Sequence, residues 1–419
     1  MRDRLAAALA AETGALTRLL TELVRIPSPG GSPGEVAIQS RLAEWLRAEG
    51  LDVDHWRLPL ADLTARPDFP GMEVPRVEAW GVAARLPGSG GGRSLMFNGH
   101  VDVVPPGEPA AWRECGPYDA LVRDGMLYGR GACDMKGGLV AALFAVRALR
   151  RCGIRLRGDL IVACVAGEED GGLGTYGLLD RGWRADACVI PEPTGLDVVP
   201  ANAGALTFRL KVTGRAAHAA RRTAGISAVE RFWPVFAALR ELEARRNADV
   251  DLLMRRWDVP YAIEVGTVHA GDWAATVPGE LVAEGRIGVA LGEPVEAARQ
   301  ALEDAVTGHG AEVEWWGGRF AAGPPPAGDL VARLAAAHRA AAGRALDSPD
   351  VWGAPYGSDL RLLAAAGVPT VQYGPGELDR MHAPDERVRI SEVVTAAHAL
   401  ALLALDHCGT APGAAGVSP

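Results

Sequence analysis

The chain has 419 residues, enough for two or three domains at roughly 150 residues each, with a large core. Its 43 basic and 52 acidic residues leave a formal net charge of -9, which argues against the basic stripe of a nucleic-acid binder. Apolar residues make up 48% and charged residues 23%, a globular balance that excludes disorder, and six cysteines without a CxxC pair predict a reduced, cytoplasmic chain.

The N-terminus, MRDRLAAALAAETGALTRLL, has a short apolar run interrupted by Glu12 and Arg18. It reads as an amphipathic helix and not as a signal peptide. Helical periodicity covers residues 15–50, with Leu42 and Leu46 on an apolar stripe that Gly50 closes. Strands and helices then alternate. Residues 94–97 form a short strand ending in NGH, 137–152 a helix, 160–166 a continuous apolar run typical of a buried parallel strand, 175–181 a helix and 187–190 a strand. This order predicts an α/β sheet.

From about residue 200 the texture changes. Residues 207–212 alternate, GRAAHAA is a turn, 224–246 a long helix, 262–268 and 281–289 strands, and 294–307 a helix. This pattern predicts a small α+β unit inserted into the larger domain, with the Gly- and Pro-rich stretch 317–328 as the return linker. Beyond it come the helix 329–343, the strand 370–373 and the helix 391–406. The last residues, GTAPGAAGVSP, read as a disordered tail. The longest apolar runs, 160–166 and 399–405, fall well short of the ~18 residues of a membrane-spanning helix, so no membrane segment is expected.

Five clusters of acidic or histidine residues fall at predicted strand ends, where open α/β sheets bind ligands. In Gly99-His100-Val101-Asp102, residues two apart in an extended segment point the same way, so the imidazole can take a metal while the carboxylate accepts its other ring N–H. Asp134 stands among glycines in GRGACDMKGG, where a helix N-terminus steadies an anionic bridging ligand. Glu168, Glu169 and Asp170 follow a buried strand and would repel one another without a cation. Glu192 lies in PEPT, and His382 in MHAPDE. Two histidines with three or four carboxylates suit zinc, cobalt or manganese. One shared carboxylate makes a two-metal site that polarises a carbonyl and activates water. Isolated helix histidines such as His338, His398 and His407 read as surface or core residues. Cys133 reads as packing, since no His–Asn pair supports a nucleophile. Residues 89–92 are a glycine turn without the lysine of a phosphate loop.

GHVDVVP, GRGACDMKGG, GEED, PEPT, GRAAHAA and MHAPDE, in this order, resemble the zinc aminoacylase and carboxypeptidase family. That family includes acetylornithine deacetylase, succinyl-diaminopimelate desuccinylase, aminoacylase and glutamate carboxypeptidases. The likeness spans nearly the whole chain. It implies a catalytic di-metal domain at 1–200 and 315–419, with a mixed, mostly parallel sheet flanked by helices. A ferredoxin-like α+β dimerisation domain is implied at 201–314, and hence a homodimer. By resemblance, His100, Asp134 and Glu192 hold one zinc, and Asp134, Glu169 and His382 the other. Asp102 orients His100, Glu168 is the general base, and His218 stabilises the oxyanion, often across the dimer. Arg286 matches a residue that grips the substrate carboxylate, and Gly357 and Ser358 match a substrate loop. Ala275 stands where many members carry Asn, which removes one amide contact, and residues 60–77 form an added loop.

The expected function is a dinuclear zinc hydrolase, with cobalt or manganese as substitutes. It cleaves the amide of an N-acyl amino acid or similar small carboxylate-bearing amide, in the manner of acetylornithine deacetylase. The alternatives are a dipeptidase or carboxypeptidase, an N-formyl or carbamoyl amidohydrolase, and a biosynthetic homologue that runs acyl transfer or condensation. A metallophosphoesterase would need basic residues beside the carboxylates to neutralise phosphate, and none accompanies them. A non-enzymatic scaffold would be expected to have lost Glu168 or a ligand.

Overall fold

The computed structural model describes residues 1–343 and 348–411. They fall into two compact units, one of Met1–Pro200, Pro325–Val351 and Leu362–Pro419, the other of Ala201–Pro324 and Trp352–Arg361. In chain order, α1 (Arg2–Val24), α2 (Pro33–Ala48), β1 (Asp52–Arg57), α3 (Leu60–Thr64), β2 (Trp80–Leu86) and β3 (Leu95–His100) come first. They are followed by β4 (Leu121–Arg123), β5 (Met126–Tyr128), α4 (Gly137–Arg151), β6 (Leu160–Val165), α5 (Leu173–Asp180), β7 (Ala187–Ile190) and β8 (Val198–Asn202). The second unit contributes β9 (Gly204–Thr213), β10 (Ala217–His218), α6 (Ala228–Arg246), β11 (Ile263–Ala270), β12 (Thr276–Val277), β13 (Glu280–Val289), α7 (Val295–Thr307) and β14 (Ala311–Phe320). The chain closes with α8 (Leu330–Ala342), β15 (Val351–Ala354), α9 (Leu360–Ala365), β16 (Thr370–Gln372), β17 (Arg387–Arg389) and α10 (Ile390–Cys408).

One eight-stranded sheet runs β1-β2-β6-β3-β7-β16-β8-β15. Its centre, β6-β3-β7-β16, is parallel; β2 and β8 flank it antiparallel, and β1 pairs antiparallel with β2. Every residue of β3 and β6 is buried, as in parallel strands covered on both faces. Helices α1, α4, α8 and α10 pack on one another, and with Phe97, Val162 and Val189 of the strands they close the main core. Residues 399–405 prove to be the middle of a longer apolar helix. Among the described residues α10 alone has the length and apolar composition to cross a membrane, and 56% of it is buried within the fold.

Three expectations are corrected. Helicity across 15–50 breaks at Val24. Pro27, Pro29 and Pro33 remove amide donors, and α2 restarts with Ser32 as its cap, accepting the Glu35 amide at 3.4 Å. The expected disordered tail is ordered in its first residues: Thr410 bridges Leu156, and the Ala411 amide donates to Arg155 at 2.9 Å. Residues 412–419 lie outside the described residues. The expected linker 317–328 instead begins inside β14, where a bulge between Trp316 and Arg319 absorbs Gly317 and Gly318.

The second unit is a four-stranded antiparallel sheet, β11-β13-β9-β14, with α6 and α7 on its own core of Phe208, Leu210, Val235, Leu239, Ile287 and Leu302. This is the ferredoxin-like α+β arrangement. A separate two-stranded antiparallel ladder, β10 with β12, places His218 opposite Thr276.

Candidate metal centre

Strands β6, β3 and β7 are neighbours and parallel, so their C-terminal ends open side by side. His100 is the last residue of β3, Glu168 and Glu169 follow β6, and Glu192 follows β7. Asp134 lies in the turn that opens α4, and His382 precedes β17. Parts of the chain almost three hundred positions apart thus converge. His100 Nε2 is 3.1 Å from Asp134 Oδ1 and 3.8 Å from Glu192 Oε1. His382 Nε2 is 3.3 Å from Asp134 Oδ2 and 3.1 Å from Glu169 Oε2. Asp134 therefore presents one oxygen to each imidazole.

Charge shows what the cluster calls for. Burial presses His100 toward its neutral form, but hydrogen bonding to Asp134 and the charges of Glu192 and Asp102 outweigh it and hold its pKa well above the imidazole range. Burial likewise opposes protonation of His382, yet Asp134 and Glu169 push it up to about 11. Burial would raise Asp134, and the two imidazoles hold it well below the carboxylate range instead. Glu169 is raised by burial and by Asp134. Buried carboxylates in this number require cations.

The donor atoms fit divalent metal ions. His100, Asp134 and Glu192 form one set and Asp134, Glu169 and His382 another, each with its donor atoms within 4.8 Å of one another. Glu169 Oε1 is buried without a hydrogen-bond partner, as a ligand oxygen would be in the absence of its ion. Nitrogen and carboxylate oxygen donors without thiolate suit zinc and its borderline neighbours.

Asp102 departs from its expected contact. His100 Nδ1 lies 2.9 Å from the Asp102 backbone carbonyl and 3.7 Å from its carboxylate, so the carbonyl fixes the ring and leaves Nε2 facing the cluster. The Asp102 carboxylate instead accepts the backbone amides of Glu168, at 3.3 Å, and Glu169, at 3.1 Å, which holds the acidic turn.

Several supporting residues carried no assigned role in the sequence reading. Arg76, from the added loop 60–77, has a fully buried side chain between Glu35, at 2.9 Å, and Asp170, at 2.7 Å. Asp170 also accepts the Glu73 and Val74 amides. Lys136 is buried and donates to the carbonyls of Leu23 and Ile26, tying the Asp134 turn to the open end of α1. Burial lowers its pKa to about 7. Arg130 and Glu386 pair at 2.6 Å. Both stand in motifs already quoted, so composition could have flagged them. Arg76, Glu35 and Asp170 are too far apart in sequence for any local signal.

The remaining candidates belong to the second unit. His218 Nδ1 accepts the Ala220 amide at 3.1 Å, which places the proton of the neutral ring on the exposed Nε2. Arg286 is exposed on β13, opposite Thr207 and Glu264. Gly357 packs where a Cβ would fall 2.7 Å from Phe320. Ser358 was expected to face substrate. Its hydroxyl is buried, 3.2 Å from Asn202 Oδ1, and accepts the Leu360 amide, so the side chain supports the loop from within.

A family model described as Peptidase family M20/M25/M40 matches residues 96–406. The chain is 33% identical over 404 residues to a succinyl-diaminopimelate desuccinylase of Gluconacetobacter diazotrophicus, covering 92% of this chain and 94% of that one. It is 27% identical over 409 residues to the N-formyl-4-amino-5-aminomethyl-2-methylpyrimidine deformylase of Bacillus subtilis, covering 88% of each. Its fold is shared with a dinuclear metal-binding peptidase of the M20 family from Bacillus subtilis, at TM-score 0.61 and 17% identity over 95% of this chain and 100% of that one. The chain belongs to peptidase family M20/M25/M40 and is a hydrolase acting on amide bonds.

Proposed function

We propose that the protein is a dinuclear metal-dependent deacylase of small N-acyl amino acids or similar carboxylate-bearing amides, with zinc as the native metal and deacetylation of the acetylornithine type as the first reading. The carrying observation is the Asp134 carboxylate set between two complete donor groups, beside a turn that offers one glutamate to each task. Two relatives whose names denote removal of an acyl group from nitrogen support the reaction class. An N-formyl substrate is the second reading, favoured by the deformylase relative.

Bound divalent ions supply a polarised carbonyl and a water acidified toward neutrality. The chain supplies the rest. His100, Asp134 and Glu192 hold one ion, and Asp134, Glu169 and His382 the other. Glu168 accepts the proton of the attacking water and delivers it to the leaving nitrogen as the C–N bond breaks. Asp102 keeps Glu168 and Glu169 in place through their amides. His218, with Nε2–H outward, donates to the developing oxyanion. Arg286 takes the substrate carboxylate, and the Gly357 backbone lines the substrate loop.

The second unit is the dimerisation domain of this reading. A homodimer is supported by the edge strand β11, mostly exposed from Gly266 onward, and by Trp233, which is 64% exposed on α6. The reading is tested by assaying zinc- and cobalt-loaded protein against N-acetyl, N-formyl, N-succinyl and dipeptide substrates. Turnover of an N-acyl amino acid is expected, and inertness toward all four classes overturns it.

A further inference from the structure

Arg130 and Glu386 are 2% and 0% exposed, and nothing in the reaction above uses them. Glu386 Oε1 accepts two backbone amides, those of Cys133 at 2.9 Å and of Asp134 at 3.0 Å. Its Oε2 accepts from Arg130 Nη1 at 2.6 Å. The same guanidinium reaches the other ligand segment. Nη2 donates to the His382 carbonyl at 3.3 Å and Nη1 to the Ala383 carbonyl at 3.4 Å. One ion pair therefore grips the backbone at both Asp134 and His382.

The gripped segment needs holding. His382 and Asp385 have left-handed φ angles of 57° and 55°, disfavoured for side chains with a Cβ. The Arg113 and Glu114 amides cap Asp385 at 2.9 and 3.0 Å, and Trp112 of the same stretch stacks on Arg130, 5.3 Å from its ring centroid. Arg130 thus sits where three segments meet. Its planar fork can serve a carboxylate and two carbonyls at once, which a lysine ammonium, a point charge on a flexible stem, cannot match.

We propose that Arg130 and Glu386 are positioning residues that set the distance between the Asp134 carboxylate and the His382 imidazole, and so the affinity of the metal position these two share with Glu169. The inference rests on the dinuclear reading. Asp134 is common to both positions, so the pair bears on both, but more strongly on the position of His382 and Glu169, because it holds two of that position's three ligand segments, whereas His100 ends β3 and Glu192 follows β7.

The test is a cobalt titration of metal-free wild type, Arg130→Lys, Glu386→Gln and His382→Ala, read by calorimetry and visible absorbance. Wild type is expected to take two ions. In Arg130→Lys and Glu386→Gln one ion should bind about 10–100-fold more weakly, the usual effect of disturbing the partners behind a metal ligand. The other, which shares only Asp134 with the gripped segments, should weaken less, and its spectrum should match that of the single ion left in His382→Ala. A merely structural pair would lower the melting temperature and weaken both ions equally or neither. Wild-type affinity for both ions in either variant, or equal weakening of both, overturns the proposal. Glu386→Gln is isosteric and carries the measurement if Arg130→Lys does not fold. Fewer than two ions on the wild type overturns the dinuclear reading itself, a result read on a different sample.

Discussion

Replacing Arg76 with Met removes a positive charge whose side chain is fully buried between Glu35 and Asp170, themselves 2% and 5% exposed. Met fills much of the volume, so the loss is electrostatic. Three charge-assisted hydrogen bonds disappear, two to Glu35 at 2.9 Å and one to Asp170 at 2.7 Å. Breaking one partner out of a buried ion pair costs about 3–5 kcal/mol, because the remaining charges stay buried without compensation. The expected fall in melting temperature is on the order of 10 °C. Glu35 gives the sign of the pH dependence. Burial already raises its pKa, and Arg76 is the group that lowers it. Without Arg76 its folded pKa rises further above the unfolded value, so stability is retained at low pH and lost as pH climbs through the folded pKa. The deficit should therefore be smaller near pH 5 than near pH 8. Glu35→Gln/Arg76→Met/Asp170→Asn, which removes all three charges, should recover much of it. Thermal and urea unfolding of the three proteins at both pH values measures this. A loss below about 1 kcal/mol, the range of a surface pair, or the same loss at both pH values, would refute the reasoning.

Glu168→Gln should keep its metal content while turnover falls by about 10²–10⁴-fold, measured by metal analysis beside steady-state kinetics. Retained turnover removes Glu168 as the base. Mixing inactive His218→Ala with inactive Glu168→Gln chains should restore partial activity if His218 acts across a dimer, and confirmed heterodimers without activity would exclude that arrangement. Chelation should abolish turnover and lower the melting temperature, since an ion held at a hundred times its Kd adds about 2.7 kcal/mol to stability. An unchanged melting curve would mean that no ion is bound there in the native protein.

Much of this was legible because the sequence writes its candidate ligands at strand ends. His100, Glu192 and the acidic turn after β6 follow apolar runs whose burial is evident from composition, and Asp134 stands among glycines that leave little alternative to a tight turn. What escaped was non-local or half-buried. Strand β1, DVDHWR, buries only Trp56, so its alternation is faint. Gly317 and Gly318 made β14 look like a linker, although a bulge accommodates them. The Asp102 contact went to a backbone carbonyl where a carboxylate was expected, a choice of geometry that residue type cannot reveal. The buried pairing of Arg76 with Glu35 and Asp170 joins positions up to 94 apart in sequence, beyond the reach of any local pattern.

The core of the first unit is shared between helices far apart in the chain. Helix α1 packs on α4 and α10, and α10 follows the other helices of that core in the chain. The inserted unit, by contrast, builds its sheet from a nearly continuous stretch between Gly204 and Phe320. During synthesis it can fold while the larger unit still waits for its closing helix. A nascent chain that has not reached residue 382 carries the carboxylates with only one of their two imidazoles, so the candidate metal centre cannot be completed before the inserted unit has been made.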